Sequence, residues 1–104
     1  MVQKTDLEFV KKFKEKLGKL IVLKRLILFG SRATGEMHKW SDFDLMIVSD
    51  DFNGKQFHER GRGFHEEWGY VYPVDFVCYT PEEFESLKNR PTIVKEAINN
   101  GVEI

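Results

Sequence analysis

The chain has 104 residues, a formal net charge of −1 and 41% hydrophobic residues, a composition that predicts one small domain over residues 1–104. The near-neutral charge argues against a protein that holds DNA or RNA by electrostatic attraction alone, since such domains are usually basic. No apolar run reaches the roughly 20 residues of a membrane span, residues 1–12 lack the apolar core of a signal peptide, and the single cysteine, Cys78, cannot form an internal disulfide, so we expect a cytoplasmic protein.

A helix is predicted over about residues 5–17. Apolar side chains recur there at helical spacing, with lysines on what we expect to be the solvated face. Thr5 and Glu8 stand three residues apart, as in a capping box, so Thr5 is expected to cap the start. Gly18 is a typical residue for the end of such a helix.

Two strands are predicted next. The run at 23–29 is apolar, is compatible with a strand and ends at Gly30. The segment at 42–49 first alternates between polar and apolar residues and then becomes fully apolar, as in a strand buried on both faces. Residues 31–36 are expected to form a short helix or turn between the two strands.

A third strand is predicted at 70–79, after a weakly helical segment at 55–68. Pro73 favours an edge position or a bulge near the start of this strand. Thr80 and Pro81 then predict the N-cap and first position of a short helix.

A last helix is expected between Pro91 and Gly101. The whole pattern predicts an α/β (α+β) fold, in which helices flank a small mixed sheet of three to four strands.

Two carboxylates lie two residues apart at the start of the second predicted strand. Side chains at this spacing point to the same face, so Asp42 and Asp44 are expected to be neighbours, about 7 Å apart at Cα. Two such carboxylates repel each other, and a divalent cation removes the repulsion. Because Mg²⁺ combines one or two carboxylates with phosphate oxygens and water, the pair predicts a metal site completed by a nucleotide.

A third acid, Asp75, interrupts the otherwise apolar third strand. If that strand lies beside the second, Asp75 can join Asp42 and Asp44, and three carboxylates can hold two metal ions. One ion would then stabilise a leaving phosphate, and the other would activate an attacking hydroxyl. A role as general base is the alternative for Asp75.

The turn after the first strand supplies candidate phosphate contacts. Gly30 lets backbone approach a ligand closely, and the amides of the following helical turn suit a phosphate. The Ser31 hydroxyl and the Arg32 guanidinium are further candidates. Each of these features alone also fits an ordinary turn, strand end or paired edge carboxylate, whereas the whole set in this order favours a metal and nucleotide site.

Outside this set, three residues have more than one possible interpretation, and a fourth has a single one. Arg60 and Arg62 predict either a mobile basic loop near the phosphates or solvated surface. Trp40 predicts stacking on a base, contact with a partner or plain packing. Cys78 is expected to be buried in a structural role.

These residues resemble the nucleotidyltransferase superfamily that includes DNA polymerase beta. The family pattern appears as Phe29-Gly30-Ser31, a spacer of ten residues, Asp42-Phe43-Asp44-Leu45 and, on a later strand, Val74-Asp75-Phe76. The first two parts look especially like the minimal nucleotidyltransferases. The resemblance covers roughly residues 20–80 and implies a polymerase-beta-like fold. It also implies that the three acids bind Mg²⁺ and that Gly30 and Ser31 hold the triphosphate of ATP.

The same resemblance suggests a partner. Minimal nucleotidyltransferases are typically encoded beside a small helical HEPN protein, often an RNase toxin, and some transfer AMP to a tyrosine of that toxin as its antitoxin. The chain has only 29 residues after Asp75, so the acceptor is expected to be small or to belong to another chain. We therefore expect a protein adenylyltransferase with a HEPN-type partner.

Two other functions remain open at this point. The chain is either a nucleotide-binding antitoxin that neutralises its partner by occlusion without catalysis, or an enzyme that transfers a nucleotide to a small molecule. A homo-oligomer also stays open, since a homodimer is one way to build a small-molecule pocket.

Overall fold

The structure is a computed structural model that describes residues 2–36 and 41–104. The helices are α1 (Lys4–Leu17), α2 (Ser31–Thr34), α3 (Phe57–Arg60), α4 (Phe64–Trp68), α5 (Pro81–Leu87) and α6 (Ile93–Asn100). The strands are β1 (Leu23–Phe29), β2 (Phe43–Ser49), β3 (Val74–Tyr79) and β4 (Val102–Glu103), and a short 3₁₀ turn (Asp50–Phe52) follows β2. Within the described ranges, none of the helices is long and apolar enough to cross a membrane.

The four strands form one mixed sheet in the order β3-β2-β1-β4. Strands β1 and β2 are antiparallel, β2 and β3 are parallel, and β4 pairs antiparallel with β1. The predicted mixed sheet with flanking helices is therefore confirmed. The sequence analysis missed β4, because this strand has only two residues and is defined by its pairing with Ile27 and Leu28.

Apolar side chains cover both faces of the sheet. On one face, which we call the α1 face, α1 and α4 pack on alternate residues of the three long strands. On the other, which we call the α6 face, α5 and α6 pack on the intervening residues, such as Phe29, Met46 and Val77. Burial of β1 and β2 on both sides explains why their sequences become almost continuously apolar.

The predicted start of α1 is wrong. The helix begins at Lys4 with Gln3 as N-cap, no side chain caps this end, and the Leu7 amide donates to the Gln3 carbonyl at 3.0 Å. Thr5 is already inside the helix, whose first turn also holds the buried Asp6. The predicted cap at Thr80 is confirmed, because its side chain accepts from the Glu83 amide in a complete capping box.

Other boundaries shift by a few residues. The predicted strand at 70–79 begins only at Val74, because the chain before it forms a loop in which the Trp68 indole donates to the Tyr72 carbonyl at 2.9 Å. The last helix begins after Thr92, whose hydroxyl accepts from the Lys95 amide. The weakly helical segment at 55–68 divides into α3 and α4.

Neither prediction for Arg60 is correct. Its side chain is buried and forms an ion pair with Glu83. It also donates to the Lys55 carbonyl at 3.0 Å and to the Cys78 carbonyl at 3.2 Å. Arg60 therefore joins α3 to β3 and to the start of α5, whereas Arg62 is exposed, as predicted for a surface residue.

Cys78 is buried, as expected. Burial raises the pKa of its thiol to about 12, so the side chain is a protonated thiol in the core at neutral pH.

Candidate active site

The parallel pairing of β2 and β3 brings two of the predicted acids together. Asp44 lies directly opposite Asp75 in the register, so their Cα atoms are about 4.8 Å apart. Both side chains project from the α6 face, because they alternate with Phe43 and Phe76, which belong to the core of the α1 face. The condition under which Asp75 can join the other acids, that its strand lies beside the second, is therefore met.

Asp42 lies two residues before Asp44, just ahead of the first residue of β2. The Phe43 amide donates to the Pro73 carbonyl at 2.9 Å, which continues the β2–β3 pairing to this end of the strands. The alternation of side chains places Asp42 on the same face as Asp44. Asp42 and Asp75 are exposed, whereas Asp44 is partly buried between them and β1.

The electrostatic environment of Asp44 differs from that of an ordinary surface carboxylate. Burial raises its pKa, and the negative charges of Asp75, Asp42 and Glu96 raise it further. Glu96 lies in the first turn of α6 and was not predicted as a site residue. No sequence signal marked it, because only the packing of α6 against the sheet brings the charge of Glu96 near enough to act on Asp44.

Gly30 lies against the Asp44 side chain, at a position where a larger residue would be strained. It directly follows Phe29, the residue of β1 that pairs with Asp44. Its φ is +74°, a backbone conformation that residues other than glycine rarely adopt. A Cβ atom at this position would collide with the Asp44 carboxylate. The glycine of the predicted phosphate turn therefore also gives the Asp44 carboxylate its room.

Ser31 begins the short helix α2 beside this glycine. The first hydrogen bond of the turn runs from the Ala33 amide to the Gly30 carbonyl at 3.1 Å, so the Ser31 amide has no acceptor inside the helix. The side chain is partly exposed. An amide and a hydroxyl at the start of a helical turn suit an anionic oxygen.

Arg32 lies elsewhere. Its side chain is 3% exposed, and its guanidinium is 3.3 Å from both carboxylate oxygens of Asp6. It also donates to the Ser41 carbonyl and lies over the ring of Phe43 at 4.4 Å. Because Phe43 belongs to the α1 face, Arg32 is on the opposite side of the sheet from Asp44. The structure therefore replaces the predicted phosphate contact with a buried ion pair that joins α1 to the turn.

The donor chemistry of the carboxylate site fits Mg²⁺, which prefers carboxylate oxygens. The crowding of negative charge around Asp44 also fits a bound cation. In the conformation described for residues 2–36 and 41–104, no three acidic, histidine or cysteine side chains are gathered closely enough to form a complete ligand set. Trp40, one of the residues with an open prediction, lies outside the described residues.

Comparison with known proteins identifies a family and a similar fold. The family model described as "Nucleotidyltransferase domain" matches residues 8–103. The fold is similar to the crystal structure of an inferred nucleotidyltransferase from Sulfolobus solfataricus, with a TM-score of 0.65 and 20% sequence identity over 93% of this chain and 77% of that one. No curated protein matches the chain significantly.

Proposed function

Because the chain belongs to the nucleotidyltransferase domain family, we propose that it transfers AMP from ATP to a hydroxyl group with the help of Mg²⁺. The observation that carries this proposal is the row that Asp44 and Asp75 form on neighbouring strands, with Gly30 directly after the β1 residue that pairs with Asp44. A phosphate-binding turn and two carboxylates thus lie side by side, as transfer of a nucleotide requires.

The residues in and beside this row have three roles in the proposed reaction: they bind the triphosphate, hold Mg²⁺ and accept a proton. The Ser31 amide and hydroxyl, next to Gly30, bind the triphosphate oxygens. Asp42, Asp44 and Asp75 would hold Mg²⁺, which would supply positive charge against the phosphates and make a nearby hydroxyl more acidic. The acceptor oxygen bonds to the α-phosphorus, the bond from that phosphorus to the bridging oxygen breaks, and pyrophosphate leaves. Asp75 accepts the hydroxyl proton, because it is exposed and lies at the open edge of the row.

We propose a HEPN-type toxin as the acceptor, with a tyrosine as its modified residue and an antitoxin role for this chain in the cytoplasm. Two arguments support this choice: the resemblance of the Gly30 and Asp42–Leu45 motifs to minimal nucleotidyltransferases, and the exposure of Asp75 and Asp42 to solvent. Exposed carboxylates can be reached by a hydroxyl on the surface of another protein.

Intact mass spectrometry tests the proposal. The chain is mixed with Mg²⁺, one nucleoside triphosphate at a time, and the protein encoded beside it. We expect the neighbour to gain one or more AMP units with ATP, and no gain with Asp44→Asn. Asp50→Asn is the matched control, because Asp50 is an exposed carboxylate at the opposite end of β2, paired with Lys24 at 3.5 Å.

Two results would contradict the proposal in different ways. A neighbour that is neutralised equally well by Asp44→Asn, without any gain of mass, would favour occlusion. A gain of mass on small hydroxyl compounds, with none on the neighbour, would favour a small-molecule acceptor.

A further inference from the structure

The outer edge of the sheet next to Asp75 has open backbone positions. β3 is an outermost strand. Because the Pro73 carbonyl accepts from the Phe43 amide of β2, residue 73 faces β2, and alternation along the strand turns Val74, Phe76 and Cys78 outward.

One of these outward groups is already bonded. Arg60 donates to the Cys78 carbonyl at 3.2 Å. In the described part of the chain, no backbone or side-chain hydrogen bond reaches the outward amides and carbonyls of Val74 and Phe76. The open edge is therefore a short stretch centred on Asp75, and Arg60 closes it toward the end of β3.

Two hollows flank this edge. One, of about 460 Å³, is bordered by Asp42 and by the loop before β3, and the other, of about 440 Å³, is bordered by α3, α4 and the turn that joins them. They share three lining residues, His65, Val74 and Asp75. Together they form one groove that follows β3 past the proposed active site.

Large apolar side chains are exposed at both ends of the groove. Tyr70 and Val71, which are 82% and 67% exposed, line it at the start of β3. Phe57, which is 60% exposed, lines it at the other end and packs on Tyr79. Exposed apolar side chains grouped along one groove are typical of a surface that another molecule covers.

We propose that an extended segment of the acceptor protein docks in this groove and pairs with β3 as an added strand. The proposal rests on the proposed function and names how the acceptor is held. Open strand edges accept such segments through main-chain hydrogen bonds, and the adjoining hollows accept alternate side chains. Arg62 supplies positive charge to the hollow that Phe57 lines, so the segment should carry an acidic residue toward that end.

The geometry of strand pairing explains how such docking would serve the reaction. In a sheet, residues that pair across strands project from the same face, about 5 Å apart. The residue of the docked segment opposite Asp75 would therefore project beside Asp75, on the α6 face that also carries Asp44. A hydroxyl on that residue lies at one end of the row, and the phosphate turn at Gly30 lies at the other. The nucleotide and the acceptor thus approach the carboxylates from opposite sides.

The test uses the full chain and a library of eight-residue peptides with a fixed central tyrosine, one acidic residue and random flanking positions. Binding is measured by residue-resolved amide exchange, without nucleotide. We expect the Val74 and Phe76 amides to become protected. Two N-methylated forms of the best peptide, methylated on alternate sets of residues, should differ by about tenfold or more in affinity, because only one set of amides faces β3.

A matched pair of variants tests the side-chain contacts. Val71→Ser should weaken peptide binding about tenfold, since its apolar side chain would be covered. Val22→Ser should leave binding unchanged, because Val22 is similarly exposed, at 65%, but lies at the start of β1, away from the groove.

Three results would overturn the docking proposal: no peptide binds, both N-methylated forms bind equally, or the free chain is already a dimer in which the Val74 and Phe76 amides are protected. The last result would show that a second copy occupies the edge. Peptide binding with the expected protection but no AMP transfer to any acceptor would contradict the proposed function alone. If Val71→Ser and Val22→Ser transfer AMP to the neighbour equally fast, that result would contradict the docking proposal alone.

Discussion

The charged side chains on the two faces of the sheet are arranged in opposite ways. On the α1 face, the buried Arg32 is paired with the buried Asp6, and its guanidinium lies over the rings of Phe43 and Tyr72. On the α6 face, the partly buried Asp44 meets Asp75, Asp42 and Glu96, all of the same sign. Opposite charges are paired where helix α1 joins the core, and like charges are gathered where the proposed substrate and Mg²⁺ bind.

This difference separates residues that stabilise the fold from residues that carry the proposed chemistry. A buried ion pair becomes costly when one partner is removed, because the other is left unpaired. The electrostatic repulsion within a cluster of like charges falls when one member is neutralised. Removal of one partner of the ion pair on the α1 face should therefore lower stability. Neutralisation of a carboxylate on the α6 face should lower activity without a loss of stability.

The largest effect is expected from Asp44→Asn. Loss of a carboxylate that holds Mg²⁺ should slow AMP transfer about a thousandfold, which corresponds to about 4 kcal/mol in the activation free energy. The melting temperature should stay the same or rise, because a repelled charge is removed. Initial rates of pyrophosphate release and a thermal melt measure the two quantities. A clear fall in melting temperature would show that Asp44 is a structural residue.

The reverse result is expected from Asp6→Ala. It leaves the Arg32 guanidinium buried without its carboxylate, and should lower the free energy of unfolding by about 3 kcal/mol. Urea denaturation measures this loss. Glu15→Ala is the control, because Glu15 is exposed on the same helix. The double variant Asp6→Leu with Arg32→Met should recover part of the loss, since no buried charge then stays unpaired.

Gly30→Ala should lower both stability and activity. The positive φ opposes any side chain, and the new Cβ collides with the Asp44 carboxylate. We expect a loss of about 2 kcal/mol in stability together with a clear fall in activity. Gly54→Ala is a matched control, because Gly54 has a φ of +80° and no atom within 4 Å of an added Cβ. It should lose about 1 kcal/mol of stability and no activity. Equal activities in the two variants would contradict the role given to Gly30.

The smallest effect is expected at Glu83. Its hydrogen bond from Arg60 holds the pKa of this carboxyl below its ordinary value, although partial burial opposes the shift. The charged form is therefore favoured in the folded state. Its stabilisation should be complete above about pH 4.3, the unfolded value, and should be lost as the pH falls through the lower folded pKa.

Glu83→Gln should remove about 1 kcal/mol at neutral pH, the usual contribution of a helix cap, and should flatten the pH dependence of stability in that acidic range. Urea denaturation at a series of pH values measures both. An unchanged slope in Glu83→Gln would assign the acid sensitivity to other carboxyls.

Local patterns predicted much of the fold. The bounds of β1 agree with its apolar run, and Thr80, Pro81 and Glu83 predicted the start of α5, because the capping residues all lie within four positions of each other. The start of α1 was mistaken on the same kind of signal. Thr5 and Glu8 match the residue types of a capping box but do not form one, since the helix begins one residue before Thr5.

The sequence by itself determined most of what is proposed for the site, both the chemistry and the residues that would carry it. Asp42 and Asp44 share a face because their spacing matches the strand period, and Gly30 marks a turn that needs a positive φ. Only the tertiary structure decided which side chains meet across the chain. It placed Asp75 opposite Asp44, brought the charge of Glu96 near Asp44 and buried Arg32 and Arg60 against distant carboxylates. These outcomes depend on strand order and on helix packing, and interactions between residues so far apart in the chain leave no periodic trace in the sequence.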